Sequence, residues 1–149
     1  MDLLKKLVTG IYLVTVKGGK DKAGMVASWI MPVSKKPTLV AVGIRTDRYA
    51  HQLIEKEGVF GINILYQGQK ELVEGFKGPL KDNFKEVEFF TGNLGIPLLH
   101  DSIGAIECKL YDTITPGDHT IFIGEVVETH FQKDLLPLDN IRFGKSYLG

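Results

Sequence analysis

Three short stretches of this 149-residue sequence carry side chains suited to chemistry. The first is "RTDRYAH", residues 45–51, which leads from an apolar run into a helix-like pattern. A helix N-terminus offers unpaired N–H groups and positive partial charge. Arg45 and Arg48 flank that point, and the guanidinium fork suits phosphate oxygens. Together they form a candidate anion site. On spacing alone, the favoured reading is two solvated arginines beside an Asp47 that caps the helix. The second stretch is "ASWIMPVS", residues 27–34, where small Ala27 and Ser28 precede bulky Trp29. A flat ligand could approach the backbone there, with Ser34 as a further hydrogen-bonding group. A lone tryptophan is also a common core or dimer-interface aromatic. The third is "TPGDHTIFIGEVVE", residues 115–128, with His119 at the mouth of a strand and directly after Asp118. His119 can serve a ligand or cap the loop by bonding to Asp118.

Other chemistries are excluded on pattern. There is no G-x-G, so a dinucleotide fingerprint is absent. "GKDKAG" has the glycine spacing of a phosphate loop, but Met25 and Val26 replace the required Lys and Ser/Thr. "GKS" at 144–146 lacks its upstream glycine, since Asp139 stands there. The four histidines, His51, His100, His119 and His130, have no metal-ligand spacing. The single cysteine, Cys108, permits no intrachain disulfide and reads as a small buried hydrophobe. Lys plus Arg balances Asp plus Glu at 18 each, so no global field draws nucleic acid or anionic membrane. The N-terminal "MDLLKKLVTG" has no apolar signal core, and no apolar run reaches membrane-spanning length. The expectation is a cytoplasmic protein with neither nucleic-acid nor membrane partners.

The elements that must position these residues are mostly strands. Segments 10–17, 25–34, 38–44, 59–65, 104–112 and 119–131 read as strands, with "GGKDKAG" and "TPGD" as hairpin loops. Pro32 predicts an end or bulge. Segments 38–44 and 59–65 are apolar nearly throughout, which predicts burial on both faces. In 104–112, Ile106, Cys108 and Leu110 face one way, and Glu107, Lys109 and Tyr111 form a wet face. Gly124 predicts a bend that helps the strand close a barrel. Helices are predicted over 47–58, with Thr46 or Asp47 as N-cap and Gly58 beyond the C-terminus, over 69–76 and over 2–8. Residues 77–101 read as loop-rich. The pattern predicts one domain, 1–149, mainly β with inserted helices: a small antiparallel barrel, closed or partly open.

The ordered motifs "TGIYLVTV", "GMVASWIMPVSKKPTLVAVGI", "RYAHQLIEKEGVFGINIL" and "GDHTIFIGEVVE" resemble the flavin reductase-like family of FMN-binding split-barrel proteins. The resemblance runs from about Leu4 to the terminal "GKSYLG". It implies a split β-barrel that forms a homodimer with FMN near the interface, and NAD(P)H as electron donor. Carried over by position, it implies that Ala27, Ser28 and Trp29 lie along the isoalloxazine ring. Val33 and Ser34 would reach the ribityl-phosphate side, and Arg45, Arg48, Tyr49 and His51 would hold the phosphate. His119 would lie near the reactive face as the catalytic residue. Two positions depart from the family pattern: Ala50, where many relatives carry Thr or Ser, and "KDNF" at 81–84. Three functions stay open: an NAD(P)H-dependent flavin reductase, an electron-transfer flavoprotein serving a rubredoxin- or flavodiiron-type redox partner, and an FMN-storage protein.

Overall fold

The computed structural model describes residues 2–76, 84 and 87–145. Strands β1 (Tyr12–Gly18), β2 (Asp21–Ala27), β3 (Ile30–Lys35), β4 (Thr38–Arg45), β5 (Val59–Ile64), β8 (Gly104–Ile114) and β9 (His119–Phe131) form one sheet. Its order is β2-β1-β5-β8-β9-β4-β3. Every ladder is antiparallel. β2 and β3 follow one another in sequence yet occupy the two opposite edges, so the sheet curls until its edges meet. Ser28 and Trp29 cross that seam, and the Gly43 N–H donates to the Trp29 carbonyl at 2.8 Å. This is the expected split barrel. The predicted strand 25–34 is therefore two strands with a corner at Ser28–Trp29, and its predicted bulge falls between Pro32 and Ser34.

Inside the barrel, Val14, Val16, Val42, Ile44, Ile54, Phe60, Cys108 and Phe122 form a closed core. Burial pushes the Cys108 thiol up to about 12, which leaves it unreactive near neutrality. A second cluster joins Ile11, Leu13, Leu65, Val73, Phe76, Phe84, Leu99 and Leu138. The short hairpin β6 (Phe89–Thr91) and β7 (Pro97–Leu99) lies in the region read as loop, and Ile96 and Leu98 pack with Ala105. Of "KDNF", Lys81, Asp82 and Asn83 lie outside the described residues, whereas Phe84 packs edge-on against Phe76 and Phe89.

Several local expectations change. β5 is buried along most of its length as predicted, but β4 alternates: Val40, Val42 and Ile44 are buried, and Leu39, Ala41, Gly43 and Arg45 face outward. Glu107 is fully buried on the supposed wet face, because a bulge between Glu107 and Cys108 breaks the period of two. Gly124 sits in an unbroken strand, and its missing side chain makes room for the Phe60 ring, whose Cζ would lie 2.5 Å from an added Cβ. Helix α1 runs Tyr49–Glu57, with Arg48 as N-cap. The predicted caps Thr46 and Asp47 do not cap it, because Asp47 is held by Arg45 and the Thr46 N–H donates to the Asp118 carbonyl. Gly58 ends it at φ +69°, in the left-handed region that favours glycine. Helix α2 spans Lys70–Gly75 after a 3-10 turn at Gln67–Gln69, and α3 spans Asn140–Phe143. The N-terminal prediction shrinks to a 3-10 turn at Leu3–Lys6. Among the described residues, no helix is long and apolar enough to cross a membrane.

Candidate flavin site on the outer face

Directly paired residues on neighbouring strands share a face. The β4–β9 register pairs Arg45 with His119, Gly43 with Ile121 and Ala41 with Ile123. Met31 of β3 pairs with Ala41, and Ile114 of β8 pairs with Ile121. Arg45 and His119 therefore head an outer face that is apolar below them. Trp29 folds onto this face against Gly43, where an added Cβ would come within 3.3 Å of the Trp29 Cβ. The indole also covers His119, with ring centroids 4.4 Å apart and planes tilted by 31°. A shallow pocket between the edges is lined by Met25, Val26, Ala27, Ser28, Trp29, Gly43 and Arg45.

Two buried polar atoms here lack a protein partner: Ser28 Oγ and His119 Nε2. Leaving such atoms unpaired is costly, and native structures rarely do so without a ligand or water to meet them. The other ring nitrogen, His119 Nδ1, is bonded to Asp118 Oδ1 at 2.7 Å. That bond holds the Asp118 carboxyl below the usual carboxylate range, with the charges of His119 and Arg45 adding to it. Arg45 Nε donates to Asp47 Oδ1 at 2.8 Å and likewise lowers that carboxyl. Its guanidinium remains about two-fifths exposed beside the start of α1. A ligand with a planar ring, hydrogen-bonding edges and an anionic tail fits these residues.

The structure gathers Ser28, Trp29, Arg45 and His119 at one end of β4, with Arg48 at the adjoining helix cap. Ala27 borders the pocket but also belongs to the inner core. Tyr49 is turned to β2, donating its hydroxyl to Asp21 Oδ2 at 2.7 Å. His51 is not brought to this face. Its Nε2 meets Thr120 Oγ1 at 2.6 Å, its Nδ1 lies 3.2 Å from Glu55, and its ring stands edge-on to Phe122. Thr120 and Phe122 point inward, so His51 and His119 occupy opposite faces of β9. Ser34 pairs with Leu39. It thus stands six residues along β4 from Arg45, roughly 20 Å at strand rise. Val33 and Ser34 therefore do not meet the arginines within one chain. Sequence reasoning missed Gly43, although a glycine inside a strand does signal close backbone approach.

The flavin reductase-like domain model matches residues 4–145. A ferric-chelate reductase (NAD(P)H) of Archaeoglobus fulgidus is 30% identical over 139 residues, covering 90% of this chain and 82% of that protein. An NADH-dependent FAD reductase of Streptomyces globisporus is 34% identical, covering 80% and 68%. Among solved structures, the NADH:FAD oxidoreductase of Streptomyces globisporus C-1027, in complex with NAD and FAD fragments, superposes with a TM-score of 0.83 at 30% identity. The match covers 89% of this chain and 81% of that one. The flavin reductase PheA2 in its native state superposes at 0.82 with 30% identity, covering 93% and 88%. The chain belongs to the flavin reductase-like domain family. It is a flavoprotein oxidoreductase of the flavin-reductase type.

Proposed function

We propose that the chain binds FMN on the outer face of β3, β4 and β9 and acts as an NAD(P)H-dependent flavin reductase. The observation that carries this reading is the pair of buried, unpartnered polar atoms, Ser28 Oγ and His119 Nε2, beside Arg45. Ser28 would hydrogen-bond an edge of the ring, and Trp29 with the open strip at Gly43 would set the plane on which the ring lies. Arg45, Arg48 and the N-terminus of α1 would hold the phosphate. Ala50 brings no hydroxyl to that task, which leaves it to the arginines and backbone N–H groups. The chemistry supplied by the bound flavin is hydride acceptance from a nicotinamide and onward delivery of electrons. His119 would present Nε2 to the reacting face and hold or accept a hydrogen bond there. The apolar strip of Met31, Ala41, Ile121 and Ile123 lies next to the site, in keeping with a homodimer that covers it.

An anaerobic titration of the purified protein tests the reading: flavin absorbance is followed as NADH and then NADPH is added. Rapid bleaching by either nucleotide is expected. A protein that carries flavin but is bleached by neither would be a storage protein. Slow bleaching by both, with fast reduction by a reduced redox protein, would assign an electron-transfer role instead.

A further inference from the structure

Asp118 lies outside the set of residues that would touch a flavin, yet it is bonded to one that would. The carboxylate accepts from His119 Nδ1 at 2.7 Å. An ionised carboxylate is acceptor-only, so this contact requires the proton to sit on Nδ1. In the neutral ring Nε2 is then the bare lone pair, and Nε2 is the buried nitrogen without a partner. Two features keep the pair in register. The Asp118 carbonyl accepts from the Thr46 N–H at 3.0 Å, which fixes the loop against the turn that carries Arg45. Trp29 covers the imidazole at 4.4 Å and limits its rotation. Arg45, the ladder partner of His119, is itself bonded to Asp47 and does not replace His119 as the partner of Asp118.

We propose that Asp118 is a positioning residue that selects the Nδ1–H tautomer of His119 and so presents Nε2 as a hydrogen-bond acceptor to the site. The inference rests on the flavin-reductase reading only for its consequence in catalysis; the tautomer itself is a property of the free protein.

The test uses Asp118→Asn and Asp118→Glu with two readouts. Nitrogen-15 NMR of the imidazoles, with His119 assigned through His119→Gln, is recorded on flavin-free protein above the titration range of the ring. The parent should show a protonated Nδ1 and a bare Nε2. Asp118→Asn, whose amide can donate or accept, should show a mixture of tautomers, and Asp118→Glu should restore Nδ1–H. The rate of flavin bleaching by nicotinamide should fall by about tenfold in Asp118→Asn. FMN affinity should stay within about twofold. An unchanged tautomer in Asp118→Asn, or a parent with bare Nδ1, overturns the proposal. So does a loss of FMN affinity as large as the loss of rate. A parent not bleached by any nicotinamide would remove the flavin-reductase reading while leaving the tautomer result to decide this one.

Discussion

In the proposed site, Arg45 and Arg48 would divide the ligand's contacts into a part that needs phosphate and a part that does not. Changing both to Ala should weaken FMN binding roughly tenfold or more while riboflavin binding barely moves, as measured by fluorescence titration. Equal losses for the two flavins would place the phosphate elsewhere. His119 makes a different prediction. His119→Ala should leave FMN bound and slow its reduction, because in the proposed site the ring would contribute at the reacting face while the strand and the arginines would carry the flavin. Release of flavin from that variant would make His119 a structural residue. The sequence placed these residues at element boundaries and the structure keeps them there: Arg45 ends β4, Arg48 caps α1 and His119 opens β9. His51 is placed differently. Its position in the helix start is close to Arg48, but the helical turn aims it inward to Thr120 and Phe122. Only the handedness of that turn, set in three dimensions, separates it from the outer face.

Among the elements, the β6–β7 hairpin depends on a buried carboxylate. Glu107, itself without solvent exposure, accepts from Leu94 N at 2.8 Å, Asn93 N at 3.1 Å and the partly exposed His130 Nε2 at 2.7 Å. Glu107→Ala would take the shared acceptor from those donors and should cost about 1–3 kcal/mol of unfolding free energy, read from urea midpoints. Burial pushes the Glu107 carboxyl up, but the bonds from His130, Leu94 and Asn93 together bring it below its ordinary value. A carboxyl lowered in the folded state adds stability that is present above its unfolded pKa, about 4.3. That stability is lost as pH falls through the lower folded value. The urea midpoint should therefore drop on acidification below about pH 4, and Glu107→Gln should flatten that limb. The bulge that buries Glu107 has no signature in strand alternation, which is why the sequence placed this residue on a wet face. Gly124 makes the opposite case: its glycine signal was visible, and its cause was not. Gly124→Ala would drive a methyl into the fully buried Phe60 ring, at a cost of about 2 kcal/mol and a melting temperature lower by roughly 4–8 °C.

At the scale of the whole molecule, the sheet leaves an apolar outer strip with Met31 at 61% and Ile114 at 56% exposure. Exposed apolar patches of this kind mark interaction surfaces. If a second copy covers it, the double change Met31→Glu and Ile114→Glu should shift sedimentation from dimer to monomer; an unchanged dimer would put the interface elsewhere. Composition and strand patterning were enough to predict a β-barrel, but not that its edges are β2 and β3. That fact lies in pairings between β4 and β9 and between β5 and β8, far apart in sequence. It has a mechanical consequence. The barrel's two edges are tied by the covalent chain at Ser28 and Trp29, so any breathing of the seam pivots there. The residues that line the pocket at that pivot would feel each opening directly. The sheet behaves as a clasp whose pin is Ser28–Trp29, and a ligand bound in the adjoining pocket should slow amide exchange at Gly43, whose N–H donates to the Trp29 carbonyl across the seam.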